Sequence, residues 1–402
     1  MRIDLVRAHL PRRVGAALLL VALLAPTVVR RAHAQSSSTS SAVKSSRTPR
    51  SRALAILGTV VGGLVGFGFT YAAGQRGASR CGPIHCPVYV WAAAGGLAGY
   101  FIGRQYDKNF AMYYRGATPL SPKSVDADLN GRPAVLAAND SVVAVGGSDG
   151  VEMFQSTALT SIGHRARGLH GIDALALAPV NGSLVLGSQA GLYLFPPHQG
   201  PGRLVRAGDV RATVASADRV YFSVDDRLEI APLAADSAHP WPGIAVGAPV
   251  RDAALDTTRH LLWTITDGAL IAFRVGDDSL ERIGSVPVTG GAQRLAILGN
   301  RAAVAVGENG VLLYDISVPE APRQTAHWST ARFAYDVSLD GTRLFVAAGP
   351  EGVYVVDVSR PEPRTIGLAR SLGFATALVS RGGSTYIVDR RENALRRIPS
   401  DF

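Results

Sequence analysis

The last two-thirds of the chain repeat one pattern of polar and apolar residues. One or two polar residues and a glycine precede each apolar run, as in SDG before VEMF and PEG before VYVVD. The glycines are Gly150, Gly191, Gly268, Gly310 and Gly352, and the series departs at Asp226 and Arg227 and continues at Asn393. Most steps are about 41 or 42 residues, which predicts a repeat of short strands and tight turns.

A second apolar run precedes each of these turns. The runs are rich in β-branched residues and bounded by turn residues, which is typical of strands. They occupy residues 142–145, 184–187, 220–224, 261–265, 302–306, 344–348 and 385–388. Seven units of this period predict an all-β fold, a seven-bladed β-propeller over residues 122–402. The glycine or asparagine of each turn is expected at positive φ, which a tight hairpin requires.

Both ends of the predicted propeller look incomplete. The last unit stops after its third strand, at residues 395–398, whereas residues 124–129 stand alone before the first unit. We expect residues 124–129 to form the missing fourth strand, because pairing the two ends closes the ring and removes open sheet edges.

Residues 310–328 and 352–367 share a further signature, in which an apolar strand ends in Asp and is followed by Ser and a proline-containing turn. They resemble repeats of the LVIVD family. The resemblance implies a seven-bladed envelope propeller of undefined role and brings no catalytic residues. The aspartates of the signature, Asp315 and Asp357, are interpreted as turn-capping side chains that bond nearby backbone N–H groups.

The start of the chain has the pattern of an export signal. Basic residues precede an apolar stretch at residues 14–24, and an A-x-A site at residues 32–34 follows it. Residues 1–34 are therefore predicted to be a signal peptide, with an uncleaved membrane anchor as the alternative. The Ser- and Arg-rich residues 35–52 are predicted to be a disordered linker.

Two apolar stretches, residues 53–73 and 88–103, each contain the pattern GxxxGxxxG. Glycines four apart lie on one face of a helix and allow close approach of another helix in lipid. These glycines are Gly58, Gly62, Gly66, Gly95, Gly99 and Gly103. Residues 53–106 resemble the glycine-zipper two-helix domain of bacterial envelope proteins, which implies an α-helical hairpin in a membrane and homo-oligomers formed through the glycine faces. The alternative is a hairpin packed on a protein surface.

The loop between these stretches holds the only two cysteines of the chain, Cys81 and Cys86. In an oxidising compartment we expect them to form a disulfide with each other. Together with His85 they are too few for a closed zinc site, and their spacing is not the C-x-x-C of redox proteins. Residues 107–121 are predicted to be a polar linker.

The positive charge of the chain belongs to its N-terminal part. Residues 1–116 hold 15 basic and 2 acidic residues, which leaves 26 basic and 29 acidic residues for the rest. Since the predicted propeller is not basic, nucleic-acid binding is excluded. The basic flanks of the hairpin oppose the positive-inside pattern of a cytoplasmic membrane. This favours the outer membrane, with the propeller facing the periplasm.

Four charged residues stand at matching places near the starts of the innermost strands, which line the channel of a propeller. They are Asp173, Asp252, Arg294 and Asp336, and beside them lie His170, Arg251 and Tyr335. Such residues at a channel mouth could bind a small polar ligand or a cation. The alternative is that each aspartate satisfies backbone groups of the neighbouring blade.

The chain carries no recognisable catalytic motif, and no cofactor or metal is predicted. We therefore expect a non-catalytic binding or scaffolding module of the cell envelope, with an envelope protein as its partner. One alternative is a propeller enzyme, lactonase or quinoprotein-like, that uses the channel-mouth residues. The other is a structural envelope-stabilising protein in which the hairpin is the active part.

Overall fold

The computed structural model describes residues 118–197, 200–329 and 332–401, together with Leu97. The chain divides into two units, Met1–Asp107 and Lys108–Phe402. The predicted signal peptide, the linker at 35–52, the six zipper glycines and the cysteine pair lie outside the described residues. Among the described residues, no helix is long and apolar enough to cross a membrane.

The described part of the second unit consists of seven sheets that follow one another along the chain, each with four antiparallel strands. Two short strands come first: β1 (Thr118–Pro119) and β2 (Val125–Asp128). Blade 1 contains β3 (Pro133–Ala138), β4 (Val142–Gly147), β5 (Gly150–Gln155) and β6 (Ser161–Arg165). Blade 2 contains β7 (Ile172–Leu177), β8 (Leu184–Ser188), β9 (Gly191–Phe195) and β10 (Arg203–Ala207). Blade 3 contains β11 (Thr213–Ala215), β12 (Arg219–Val224), β13 (Arg227–Pro232) and β14 (Gly243–Ala245).

The remaining blades follow the same order. Blade 4 contains β15 (Val250–Asp256), β16 (Leu261–Thr266), β17 (Ala269–Val275) and β18 (Leu280–Pro287). Blade 5 contains β19 (Arg294–Leu298), β20 (Arg301–Ala305), β21 (Val311–Asp315) and β22 (Arg323–Trp328). Blade 6 contains β23 (Asp336–Asp340), β24 (Arg343–Ala347), β25 (Val353–Asp357) and β26 (Arg364–Ala369). Blade 7 contains β27 (Ala375–Arg381), β28 (Ser384–Asp389) and β29 (Ala394–Pro399), after a 3-10 helix at Arg370–Leu372.

All seven apolar runs predicted as second strands are confirmed, and each lies inside its sheet. A second strand is buried on both faces because the adjacent blades cover it, which explains why these runs are continuously apolar. Each pair of adjacent blades shares one hydrophobic cluster, including the pair formed by blades 7 and 1. The core is therefore a closed ring of interfaces between blades.

The ring closes as the sequence predicts. Strand β2 pairs antiparallel with β29, with Val125 opposite Arg397 and Asp128 opposite Ala394, and it is the fourth strand of blade 7. An ionic network reinforces this seam. Arg396 Nη1 donates to Asp126 Oδ2 at 2.8 Å, and its Nη2 donates to Asp389 Oδ2 at 3.0 Å. The side chain of Asp389 is fully buried.

The predicted linker at residues 107–121 ends in a strand. Thr118 and Pro119 form β1, which pairs in parallel with β26 and adds a fifth strand to blade 6. The Leu120 N–H donates to the carbonyl of Leu368 at 3.0 Å and continues this contact. Two residues are too short for a periodic signal, so this strand could not be predicted from the pattern.

The turn glycines mostly have the expected backbone. At Gly352 φ is 88°, and a Cβ there would lie 2.2 Å from the carbonyl oxygen of Ala369, so only glycine allows the fourth strand this close. The expectation is wrong at Gly268, whose φ lies outside the left-handed region. There Thr266 Oγ1 accepts the Ala269 N–H at 3.1 Å, and this side-chain bond organises the turn instead.

Candidate ligand site at the channel mouth

A polar cavity lies where the innermost strands of blades 2 to 5 begin. Its volume is about 390 Å³, and its lining comes from four blades. The lining residues are Asp173, Gln189, Arg211, Arg251, Ala292, Gln293 and Arg294. Two of the four predicted site residues, Asp173 and Arg294, therefore line the cavity, whereas Asp252 and Asp336 do not.

Asp252 holds blade 4 against blade 5. Its Oδ1 accepts the N–H of Ala253 at 2.9 Å, and its Oδ2 accepts the N–H of Leu295, on the next blade, at 2.8 Å. Burial raises the pKa of Asp252, and the nearby Arg294 guanidinium is the largest opposing influence. Both carboxylate oxygens are thus engaged with backbone.

Asp336 makes the same brace between blades 6 and 7. Its oxygens accept the N–H groups of Val337 at 2.8 Å and Leu378 at 2.9 Å. Burial raises the pKa of Asp336 to about 7, and the Asp252 carboxylate adds to the rise. For these two aspartates the alternative drawn from the sequence holds, because each satisfies a backbone group of the neighbouring blade.

Asp173 is not in the position that Asp252 and Asp336 occupy. Strand β7 pairs Ile172 with Ser188 and Ala174 with Gly187, so Asp173 is the extra residue of a β-bulge. Strand β15 has the same irregularity at Arg251. Ala174 is therefore the structural counterpart of Asp252, and the matching drawn from sequence is off by one residue there. Because a bulge redirects a side chain, Asp173 and Arg251 both face the cavity.

Arg294 takes the place of a bracing aspartate at the start of blade 5. Its Nη1 donates to the carbonyl of Gln293 at 3.4 Å. Among the described residues, no carboxylate lies within 4.0 Å of its guanidinium. Burial raises the pKa values of Asp173, Asp252 and Asp336, and the charge of Arg294 opposes this rise in all three, so Arg294 is their shared counterion at longer range.

The other two arginines of the cavity have close partners. Arg251 Nε and Nη2 donate to the two oxygens of Asp267 at 2.8 and 2.9 Å, a bidentate pair that lowers the pKa of Asp267. Arg211 Nη2 lies 2.6 Å from Asp209 Oδ2. These pairs fix the guanidinium planes and neutralise their charge.

Sequence reasoning missed three polar residues of the lining, which are Gln189, Arg211 and Gln293, and it also missed Ala292. Arg211 stands just ahead of the innermost strand β11, so comparison of the strand starts could have found it. Gln293 directly precedes Arg294, and its Nε2 donates to the carbonyl of Gly291 at 3.1 Å. Gln189 lies in the turn between β8 and β9, and nothing in the sequence directs it to the channel.

Three aromatic side chains pack together near the starts of the innermost strands of blades 6 and 7. The ring centroids of Phe333 and Tyr335 are 4.5 Å apart, and those of Tyr335 and Phe374 are 5.9 Å apart.

His170, another predicted neighbour of the site, has its Nδ1 2.8 Å from the carbonyl oxygen of Ser148. In the described part of the chain, no group of three or more His, Cys, Asp or Glu residues could hold a metal ion.

The capping role expected for the LVIVD signature is confirmed. Asp315 Oδ1 accepts the N–H of Ser317 at 2.9 Å, and Asp357 Oδ1 accepts that of Ser359 at 2.8 Å. Bonds to these serines hold the pKa of each carboxyl below its usual value. Both aspartates end their third strands and have a structural role in the turn.

These features define a seven-bladed β-propeller with a polar cavity at one end of its innermost strands. The model of the LVIVD repeat matches residues 289–327 and 331–363, which lie in blades 5 and 6 and the connections before them. No curated protein matches the chain.

Solved structures share the fold at low sequence identity. The structure of U3-55K has a TM-score of 0.55 at 14% identity and covers 68% of this chain and 98% of its own. The β-propeller domain of Cps50 (Swd1) from Myceliophteria thermophila has a TM-score of 0.57 at 10% identity, with 68% and 98% covered. The RRP9 WD40 repeats have a TM-score of 0.56 at 13% identity, with 70% and 99% covered.

Proposed function

We propose that this chain is an exported cell-envelope protein whose propeller is a non-catalytic binding module, held at the outer membrane by its glycine-rich hairpin. The channel-mouth cavity takes a small polar ligand, and the loop face around it contacts an envelope protein. The propeller is the recognition part in this proposal, and the hairpin supplies location and homo-oligomer contacts.

One observation carries the binding function. The cavity is lined by three guanidinium groups, two carboxamides and one carboxylate. Such groups recognise a polar ligand by charge and hydrogen bonding. The two predicted site carboxylates that lie outside the cavity lining, Asp252 and Asp336, have both oxygens engaged with backbone N–H groups. Engaged in this way, they stabilise the channel wall and are poorly placed to transfer protons to a substrate.

Native mass spectrometry of the full-length chain, recovered from its own cells in mild detergent, tests this function. We expect a small molecule at one copy per chain that is released unchanged after prolonged incubation. Arg294→Gln should abolish its retention. Asp140→Asn is the control, because Asp140 pairs with Arg381 at the turns on the far ends of the innermost strands. A chain recovered empty, or one that converts its bound molecule, would contradict a binding module.

The membrane tether has a separate test. In lipid, a glycine ladder packs closely only if both faces stay small. The double substitution Gly62→Leu with Gly99→Leu should therefore abolish oligomers of the full-length chain while the propeller stays folded. Unchanged oligomer size and unchanged membrane fractionation would refute the packed hairpin. Protease added to cells with a permeabilised outer membrane should cleave the chain only if the propeller faces the periplasm.

A further inference from the structure

Two opposite charges face the cavity without a partner of their own. Asp173 lies on blade 2 and Arg294 on blade 5, and both line the same space of about 390 Å³. Among the described residues, neither side chain has an oppositely charged group within 4.0 Å. The other two arginines of the lining are paired with Asp209 and Asp267. The unsatisfied charge of the cavity is therefore one acidic and one basic group.

The Asp173 carboxylate is partly removed from water, so its negative charge is poorly stabilised without a nearby cation. Burial is the main cause that raises its pKa, and the carboxylate of Asp209 adds to it, while Arg211 and Arg294 oppose the rise at a distance. A partly desolvated carboxylate is stabilised by any cation or donor that reaches it. Arg294 likewise offers most of its donors to the cavity, since within the described ranges only Nη1 has a protein acceptor, at 3.4 Å.

From this arrangement we infer that the cavity binds a small zwitterion of the α-amino acid class. Its ammonium group contacts Asp173 and its carboxylate contacts Arg294, while Gln189 and Gln293 meet its polar atoms. A simple anion would leave Asp173 unpaired beside a new negative charge, and a simple cation would do the same to Arg294. A ligand with both charges satisfies both groups, and the cavity volume is adequate for one such molecule.

This inference rests on the proposed binding function and narrows it to one ligand class. The first experiment measures the thermal midpoint of the full-length chain, freed of bound small molecules by dialysis, with each of the twenty protein L-amino acids. We expect at least one to raise the midpoint in a saturable way, because a ligand that binds only the folded state stabilises it. Its affinity is then measured by calorimetry.

The second experiment removes each charge from the ligand. The best amino acid is compared with the analogue that lacks its ammonium group and with the analogue that lacks its carboxylate. Each analogue should bind about 10-fold to 100-fold more weakly, since a charge-assisted hydrogen bond contributes about 1.5–3 kcal/mol. Asp173→Asn and Arg294→Gln should cause losses of similar size on the protein side. Asp140→Asn and Arg381→Gln make the same charge changes at an exposed pair and should leave the affinity unchanged.

The outcomes separate the inference from the proposed function. If no amino acid binds, or if the analogue without ammonium binds as tightly as its parent, the zwitterion is wrong. A different molecule found by native mass spectrometry would then still support a binding module. The analogue comparison uses the unaltered protein, so it decides the question even if a cavity variant fails to fold.

Discussion

Replacing Asp336 with asparagine should change how the stability of the propeller depends on pH. Burial raises the pKa of Asp336 from 3.8 to about 7 in the folded chain. The folded state therefore holds this proton more tightly than the unfolded state does. Its contribution to stability is fully present below the unfolded value and is lost as the pH rises through the folded value.

The size of the change in unfolding free energy follows from the raised pKa of Asp336. About two pH units separate pH 5 from the folded pKa, so the native chain should lose about 3 kcal/mol of stability from this group between about pH 5 and about pH 8. Asparagine cannot ionise and removes that loss. Its carboxamide accepts only one of the N–H groups of Val337 and Leu378, so the variant also carries a pH-independent cost of about 1–3 kcal/mol. The advantage of the native chain over the variant should therefore fall by about 3 kcal/mol between pH 5 and pH 8, which leaves the variant at least as stable as the native chain near pH 8.

Urea unfolding of the full-length chain, followed by the fluorescence of the buried Trp263 and Trp328, gives the free energy of unfolding at each pH. The quantity of interest is the difference between native chain and variant, because groups common to both cancel. Asp140→Asn is the control and should keep the pH dependence of the native chain, since it leaves Asp336 in place. A native chain whose stability relative to the Asp336→Asn variant is flat or rises from pH 5 to pH 8 would refute the reasoning.

Two further predictions concern the turns and the ring closure. Gly352→Ala should lower the free energy of unfolding by about 1–3 kcal/mol, because the alanine would need φ near 88° and would clash with the carbonyl of Ala369. Gly268→Ala occupies the equivalent turn, where a Cβ meets nothing within 4 Å, and should be nearly neutral; equal losses from both would contradict this account. Arg396→Gln should cost about 3–5 kcal/mol, because it leaves a fully buried aspartate of β28 without its cation. Asp126→Asn removes only the half-exposed partner and should cost about 0–1 kcal/mol, so similar urea midpoints for these two variants would show that the buried pair is not the stabilising one.

The blade architecture could be predicted because two strong local signals recur together. Each second strand is buried on both faces and so reads as a continuous apolar run, and most third strands follow a glycine that a close backbone approach requires. Closure of the ring could also be predicted, because residues 124–129 form a lone strand before the first blade and the last blade is one strand short. Strand β1 could not, since its two residues are held by pairing with β26 and by no pattern of their own.

The candidate site was only partly predictable, for a different reason. Comparison of the sequences places Asp173 level with Asp252, but the strand pairing makes Asp173 the counterpart of Arg251, because each of these two residues is the extra residue of a β-bulge. A bulge changes pairing without changing composition, so the sequence carries no mark of it. Gln189 reaches the cavity from a turn between outer strands, a contact set by how the blades pack around the channel.

The departures from the repeat are the most informative feature of the channel mouth. An aspartate at the strand start that engages both of its oxygens with backbone, as Asp252 and Asp336 do, is held in the channel wall and does not line the cavity. Blade 5 has Arg294 at this place, and an arginine cannot accept the N–H of the following strand, so its donors remain available. Blade 2 has its aspartate one residue earlier, on the bulge, and in the described part of the chain it accepts no backbone N–H of the next blade. At these two strand starts the departure from the brace leaves a charged side chain in the lining of the cavity. The aspartates that keep the repeated brace stabilise the contact between blades. The two residues that depart from it, Asp173 and Arg294, mark the candidate ligand site.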